Sequence, residues 1–287
     1  MRVFFAFVLY LFVSCVAGST LGWLLSLGVD YPYEKLLSRS VLLFAALGLV
    51  PLWRFVDLSI ADVGLTPAPR FADLGRWFSV GIVLILPLAW LFWFIEFRVI
   101  DPRLSGPSLE TLIVFAWLLF SAFLVGIFEE VLFRGVIYGA LRRLYGFFGS
   151  AAIVSFCYAS VHFLELKEVL TEPTWWSGIV ITAEAFAGVL QPESWDSWLS
   201  LFLLGWVFCL LRERISLWAA VSLHASFVFS LRAYKELTVR DVVHPLRGLV
   251  GDFDNFLGVA ALVWLAFILV VVALWDQYRQ GVLGESK

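Results

Sequence analysis

The chain has 287 residues, of which 62% are hydrophobic and only 15% are charged. Its mean hydropathy of +0.93 excludes a water-soluble globular domain, because one aqueous core could not bury so much apolar surface. The formal net charge of −3 excludes the basic surface on which electrostatic binding to nucleic acid depends.

Apolar runs along the chain predict transmembrane helices, since a helix needs about 20 apolar residues to cross a bilayer. Eight runs qualify, at residues 3–27, 37–56, 77–97, 109–128, 147–163, 197–211, 216–232 and 256–276. The stretch at 127–145 is also helical in pattern and is expected to continue the fourth span. We therefore expect an all-α fold, a polytopic membrane helix bundle of about eight transmembrane helices, in the cell (inner) membrane.

Between the fifth and sixth runs lies a longer, acidic and tryptophan-rich loop at residues 164–196. Its apolar stretch at 179–190 could lie along the membrane interface or dip into the bilayer. The sequence leaves both alternatives open.

Charged residues interrupt the apolar helices at very few positions, and such residues are usually functional because they are costly at membrane depth. Glu129, Glu130 and Arg134 form one such group. Glu130 and Arg134 are four residues apart with the acid first, which favours an ion pair on one helix face. Glu129 points about 100° away from Glu130 and has no local cation. It is therefore predicted to be free to act as a base.

Two of the three histidines, His162 and His224, also lie inside apolar helices. A turn around Gly146 would make the flanking helices antiparallel, and Glu130 lies 16 residues before this glycine while His162 lies 16 after it. The two side chains are therefore expected at the same depth. His224 follows a charged turn by about ten residues, roughly 15 Å of helix, and joins the site if that turn lies on the matching side.

One carboxylate with two imidazoles can hold a water molecule, take its proton and stabilise the oxyanion that forms after attack on a carbonyl. This chemistry indicates peptide hydrolysis. The same three side chains, Glu129, His162 and His224, could instead bind a divalent metal such as zinc, with an open position for water. The residues alone leave both alternatives open.

The motifs at these positions resemble those of the CPBP family, the CAAX-protease and bacteriocin-processing intramembrane peptidases. The family pattern Glu-Glu-x-x-x-Arg is matched at residues 129–134. A later Phe-x-x-x-His pattern is approached at residues 158–162, with tyrosine in place of phenylalanine. The resemblance covers about residues 120–229.

The resemblance implies a role for each matched residue. Glu129 would activate the water, His162 would position it, and His224 would support the oxyanion. Glu130, Arg134 and Tyr158 would give structural support.

The third family motif, His-x-x-x-Asn, is matched only in its histidine, because residue 228 is Val228. In the family this asparagine is thought to help bind the oxyanion, so its absence implies weaker catalysis or a different substrate class. The chain's asparagine, Asn255, is distant in sequence. Ser222 or Ser226 is a candidate replacement.

These expectations divide the chain into three parts. Residues 1–119 hold amino-terminal helices and loops, residues 120–232 a CPBP-like peptidase core, and residues 233–287 a loop, the last span and a short polar tail. The expected activity is endopeptidase cleavage near the carboxyl-terminal tail of a membrane-associated protein that is prenylated, carries a sorting tail or has a bacteriocin-type leader. The expected partners are that membrane-anchored protein or peptide and the lipid bilayer.

Two other functions remain alternatives at this stage. A catalytically inactive scaffold or bacteriocin-immunity-type protein of the same fold would explain Val228. A transporter with Glu129 and the histidines as a proton relay is expected to show an inverted repeat with paired broken helices, and no such symmetry is found in the sequence.

Overall fold

The structure, a computed structural model, describes residues 2–104, 106, 108–163, 172–188, 195–241, 243–251 and 253–284. Parts of the predicted long loop (164–171 and 189–194) and the end of the predicted tail (285–287) lie outside these residues. The described chain is a helix bundle, which confirms the all-α membrane fold. Its helices are α1 (Arg2–Ser26), α2 (Tyr33–Phe55), α3 (Ile60–Val63), α4 (Phe71–Phe94), α5 (Leu109–Glu130), α6 (Tyr138–His162), α7 (Ser177–Gly188), α8 (Trp195–Arg214), α9 (Leu217–Leu237) and α10 (Val259–Gly284).

Five helical segments in the described chain are long and apolar enough to cross a membrane. They are Val3–Ser26, Tyr33–Phe55, Phe71–Phe94, Leu109–His162 and Trp195–Arg214, with a shorter apolar helix at Val259–Leu274. The fourth segment contains 54 residues and departs from helical geometry at Gly146, where φ is 67° and ψ is −171°. This glycine stands where the sequence predicts a turn. The number of eight crossings stays a prediction.

The helix that carries the two glutamates does not end where its apolar run ends. α5 continues directly into a π-helix at Val131–Ile137, and α6 follows without a gap. This agrees with the prediction that residues 127–145 continue the fourth span. A π-helix widens the turn and is frequent at functional sites. Here it begins immediately after Glu130 and contains Arg134.

Helix α9, which carries His224, packs against both α4 and α5. Glycines allow this close approach, because a Cβ on Gly81 would lie 2.9 Å from the Ser226 Cβ, and one on Gly126 would lie 3.0 Å from the Val221 carbonyl oxygen. Small residues at helix contacts are typical of membrane bundles, where packing rather than the hydrophobic effect holds helices together. The two glycines therefore fix α9 relative to the helix that carries Glu129.

A short antiparallel ribbon that the sequence analysis did not predict closes one end of α9. Strand β1 (Arg98–Ile100) pairs with β2 (Thr238–Arg240), with Val99 opposite Val239. The buried Arg98 donates from Nε to Thr238 Oγ1 (2.7 Å) and from Nη2 to the Thr238 carbonyl (2.9 Å). These contacts anchor the carboxyl end of α9 to the chain that follows α4.

Polar contacts close the opposite end of the bundle. Arg142 pairs with Glu213 at 2.8 Å, and Arg143 pairs with Asp62 at 2.7 Å. Hydrogen bonds from Ser59 and Arg143 hold the pKa of the Asp62 carboxyl well below its usual value. The Arg143–Asp62 ion pair thereby joins α3 to the first turns of α6.

Residues 179–188 of the apolar stretch in the long loop belong to α7, and this helix packs against α1. Ile181 is buried in a small cluster with Tyr33 and Leu37. The stretch is therefore part of the bundle rather than an isolated surface helix.

Two glycines on α4 give a matched test of the α4–α9 contact. We expect Gly81→Ala to lower the free energy of unfolding by about 1 to 3 kcal/mol, because the new methyl group overpacks against Ser226. Gly75→Ala places its methyl group in open space, and alanine is the better helix former, so this variant should be as stable as the wild type or slightly more stable. Unfolding of both variants in detergent measures the difference, and equal stabilities would contradict the close packing.

Candidate active site

Adjacent glutamates at the end of α5 occupy different environments. The Glu130 side chain is 0% exposed, whereas that of Glu129 is 22% exposed. Glu130 Oε1 accepts hydrogen bonds from Arg134 Nη1 (2.9 Å) and from His224 Nδ1 (2.8 Å). The predicted Glu130–Arg134 pair is therefore present, and the same carboxylate also holds one of the two predicted catalytic histidines.

The fully buried Arg134 is held from several sides. Its Nη2 donates to the Gly205 carbonyl of α8 at 3.2 Å. Its guanidinium carbon lies 4.2 Å from the ring centroid of Tyr158 and 4.9 Å from that of Phe208. A guanidinium tolerates such burial because aromatic faces attract it and because its planar fork reaches several acceptors.

Hydrogen bonds at Nδ1 fix the tautomer of both histidines. His162 Nδ1 lies 2.8 Å from the Tyr158 carbonyl oxygen, which can only accept, so this nitrogen carries the proton. His224 Nδ1 donates in the same way to the Glu130 carboxylate, and its ring stacks on Phe208 with an interplanar angle of 14°. In each neutral imidazole the remaining nitrogen, Nε2, presents a lone pair.

Both Nε2 atoms face the other glutamate. Each lies 3.7 Å from Glu129 Oε2, too far for a direct hydrogen bond. Glu129 Oε2 is buried and has no hydrogen-bond partner among the described residues. Three acceptor atoms thus converge without a donor, which is the arrangement that a water molecule, a proton or a metal ion satisfies.

This constellation lies on the wall of a cavity of about 340 Å³. Most of the other lining residues are apolar and come from α4, α8, α9 and α10; they include Leu84, Ile85, Leu88, Leu201, Leu204, Phe227, Val228, Leu231, Trp264 and Leu265. An apolar cavity with a few convergent polar groups is the usual form of a ligand site.

Residues 110–230 match the model of a protein family described as type II CAAX prenyl endopeptidase Rce1-like. This segment is similar to that family. No curated protein and no solved structure matches the chain.

The Rce1-like segment contains every side chain of the constellation, from Glu129 to His224. The resemblance predicted from the three motifs is thereby confirmed. The family is one of CAAX-type intramembrane proteases, and the match supports the same broad class, a membrane hydrolase.

One departure from the Rce1-like pattern lies within the cavity itself, because Val228 is among the lining residues. The replacements considered from the sequence do not supply a donor there. Ser222 Oγ donates to the Leu74 carbonyl at 2.5 Å, and Ser226 Oγ donates to the Leu223 carbonyl at 2.9 Å. Asn255 lies outside this cavity and bonds with Arg240 instead.

The alternative of a metal centre concerns the same three side chains. Within the described residues, no group of three or more His, Cys, Asp and Glu side chains has the arrangement of a metal site. Glu129, His162 and His224 nevertheless supply one oxygen and two nitrogen donors, which is a set that zinc enzymes use. The metal alternative therefore stays a proposal.

Sequence reasoning missed the part of the site that comes from α8. Phe208 stacks on His224, and the Gly205 carbonyl accepts from Arg134. Both residues lie within an ordinary apolar helix, and no spacing rule distinguishes them from their neighbours. It also missed the charged residues Arg232, Lys235 and Asp254 on the cavity wall.

Proposed function

We propose that the chain is an intramembrane endopeptidase that hydrolyses a peptide bond near the carboxyl-terminal tail of a membrane-associated protein. The observation that supports this most directly is the convergence of His162 Nε2 and His224 Nε2 on Glu129 Oε2, at 3.7 Å each. The similarity of residues 110–230 to a family of CAAX-type proteases supports the same reaction class. Prenylated proteins and sorting-tail precursors of the cell (inner) membrane are the proposed substrates.

In the proposed reaction, a water molecule lies between Glu129 Oε2 and the Nε2 atom of His162. Glu129 takes one proton from this water, and His162 accepts a hydrogen bond from the other hydrogen. The oxygen attacks the peptide carbonyl carbon, and the proton held by Glu129 passes to the departing amide nitrogen. The products are a carboxyl-terminated protein and a short peptide with a new amino terminus.

The oxyanion in this reaction is supported by His224, which must then carry a proton at Nε2 as well as at Nδ1. The Glu130 carboxylate accepts the Nδ1–H at 2.8 Å and so holds the ring with Nε2 toward the cavity. Glu130 thus has two roles: it pairs with Arg134, as the sequence predicts, and it positions His224.

Substituting Val228 tests the oxyanion step. The residue lies one helical turn after His224 and lines the cavity. We expect Val228→Asn to raise kcat by about tenfold, because its amide adds a hydrogen-bond donor for the oxyanion. The loss of one such donor in other enzymes commonly lowers kcat by more than tenfold. Val228→Leu adds volume without a donor and should give no gain in the same peptide-cleavage assay. An unchanged kcat for Val228→Asn would show that the oxyanion does not form on this side of His224.

The metal alternative has a separate test. If the three side chains bind zinc, EDTA dialysis should abolish peptide cleavage and added zinc should restore it, and the purified protein should contain about one equivalent of metal. If Glu129 activates water without a metal, EDTA should leave cleavage unchanged.

A catalytically inactive scaffold is the second candidate, and Val228 in the cavity is the observation that favours it. The two functions differ in their dependence on Glu129. Substitution of Glu129 by glutamine removes the base while it keeps the side-chain volume, so only the peptidase should lose its function.

A further inference from the structure

A second cavity, here called the polar pocket, lies at the end of the bundle that carries the antiparallel ribbon. Its volume is about 170 Å³. Four of its seven described lining residues have polar side chains, namely Arg240, Asp241, Arg247 and Asn255. The polar pocket adjoins the cavity beside Glu129, because Asp254 and Phe256, on either side of Asn255 in the chain, line that cavity. Its chemistry differs, however, since its lining is charged rather than apolar.

The polar pocket lies at the level of the lipid headgroups. Helix α4 has 24 residues, which at 1.5 Å each is about 36 Å, enough to cross a hydrocarbon core of about 30 Å. Phe97 of the pocket follows α4 by three residues, Arg240 follows α9 by three, and Asn255 precedes α10 by four. Three helix ends therefore meet at the pocket, just outside the membrane-spanning part of the bundle.

Positive charge accumulates around this pocket. Arg240 and Arg247 line it together with one acid, Asp241, whose Oδ1 accepts the Val243 N–H at 3.0 Å. A third arginine, Arg98, lies directly opposite Arg240 in the ribbon, and like charges at such opposed positions destabilise a sheet. Among the described residues, no ion pair involves Arg98 or Arg240.

The two opposed arginines donate to neutral acceptors. Arg98 donates to Thr238 through Nε and Nη2, and Arg240 donates from Nη1 to the side-chain oxygen of Asn255. Burial lowers the pKa of the Arg98 guanidinium, and the charge of Arg240 acts in the same direction. An anion in the polar pocket would offset this repulsion.

The surroundings of the polar pocket favour a lipid as the source of that anion. Ile100 is 65% exposed, Val243 82% and Leu246 47%, and all three lie in the segments that carry the arginines. The boundary between headgroups and acyl chains covers apolar side chains of this kind. Basic pockets between transmembrane helices bind the headgroups of anionic lipids in other membrane proteins.

We propose that the polar pocket binds the phosphate group of an anionic phospholipid. Arg240 and Arg247 donate to the phosphate oxygens, since a planar guanidinium can reach two of these oxygens at once. The side-chain nitrogen of Asn255 is a further donor, because its oxygen accepts from Arg240. Arg98 adds charge without lining the pocket. The site does not depend on the proposed peptidase function.

A matched pair of lipids tests the site. The probes are dioctanoyl phosphatidic acid and dioctanoylglycerol, which differ only in the phosphate and carry the same fluorophore on one acyl chain. The Kd of each probe is measured with the full-length protein in a neutral detergent. We expect phosphatidic acid to bind about tenfold more tightly than the diacylglycerol, as charge-assisted hydrogen bonds provide.

Variants assign this preference to the two arginines. Arg240→Gln together with Arg247→Gln should bind both lipids equally, and an unchanged Kd for the diacylglycerol shows that the fold is intact. Arg247→Gln alone changes an exposed position and should reduce the preference to about threefold, which decides the question if the double variant does not fold. The control is Arg70→Gln with Arg76→Gln, which removes two exposed arginines at the opposite end of α4 and should keep the full preference.

Two results would overturn the site itself: equal binding of both lipids by the wild type, or a full preference in the variants that lack Arg247. A third measurement distinguishes the source of the phosphate. Inorganic phosphate at the concentration of the lipid should not displace phosphatidic acid, because the acyl chains add apolar contact with the protein. Displacement under these conditions would identify soluble phosphate as the ligand and would rule out the phospholipid.

Discussion

Replacing Glu129 with glutamine should lower the rate of peptide cleavage by about a thousandfold or more, because general-base catalysis contributes on the order of 10² to 10⁴ in rate. The amide of glutamine cannot accept a proton from water, yet it occupies almost the same volume. Glu129 is 22% exposed and has no ion pair with lysine or arginine among the described residues, so the fold should tolerate the change. The measurement is single-turnover cleavage of a tail peptide by purified protein in proteoliposomes.

A matched control for this variant lies on the same helix. Glu110 is an exposed acid in the first turn of α5, and Glu110→Gln removes the same charge far from the cavity. It should cleave at the wild-type rate. His162→Ala, in contrast, should lose about a hundredfold or more, because the water loses one of its partners. Equal rates for Glu129→Gln and Glu110→Gln would rule out the glutamate-activated water.

Replacing Arg134 with methionine should destabilise the protein by about 3 to 5 kcal/mol, the usual effect of removing one partner of a buried ion pair. The side chains of Arg134 and Glu130 are both 0% exposed, so the remaining carboxylate would be buried with His224 as its one polar partner among the described residues. The measurement is the free energy of unfolding in mild detergent, with Arg142→Met as control. Arg142 is 41% exposed and pairs with a partly exposed glutamate, so its loss should cost no more than about 1 kcal/mol.

A double variant separates stability from the positioning of His224. Glu130→Gln together with Arg134→Met removes both buried charges, so much of the lost stability should return. Cleavage should stay low, because a neutral amide replaces the charged acceptor of the His224 Nδ1–H and holds the ring by a weaker hydrogen bond. Recovery of both stability and cleavage in the double variant would show that Glu130 serves only to balance Arg134.

The sequence predicted a turn and an ion pair correctly, because each follows a rule that depends only on nearby residues. Gly146 supports a turn at the expected position because its φ of 67° suits glycine, and the equal spacing on both sides of it anticipates that His162 returns to the level of the glutamates. The spacing of Glu130 and Arg134 likewise predicts their ion pair. The interaction of His224 with Glu130 was not foreseen, because the two residues are 94 positions apart and no periodicity links them.

Other features depend on packing that no local pattern encodes. The hydrophobic pattern of the sequence does not distinguish the π-helix after Glu130, since its residues are as apolar as those of the helices beside it. In the sequence, Arg232 and Lys235 resemble an ordinary polar helix end, and only the fold shows that they line the same cavity as Glu129. The sequence shows that residue 228 is a valine rather than the asparagine of the third motif. Whether this change removes a donor from the cavity depends on where the side chain lies in the fold.

The most direct test of the central claim compares the carboxyl termini of membrane proteins by mass spectrometry in native cells that carry either the wild-type chain or Glu129→Gln. If Glu129, with His162 and His224, activates water for peptide hydrolysis, at least one membrane protein should lose its tail with the wild type and keep it with the variant. Identical termini in the two samples, with both proteins present in equal amount, would contradict the peptidase and favour a scaffold of the same fold.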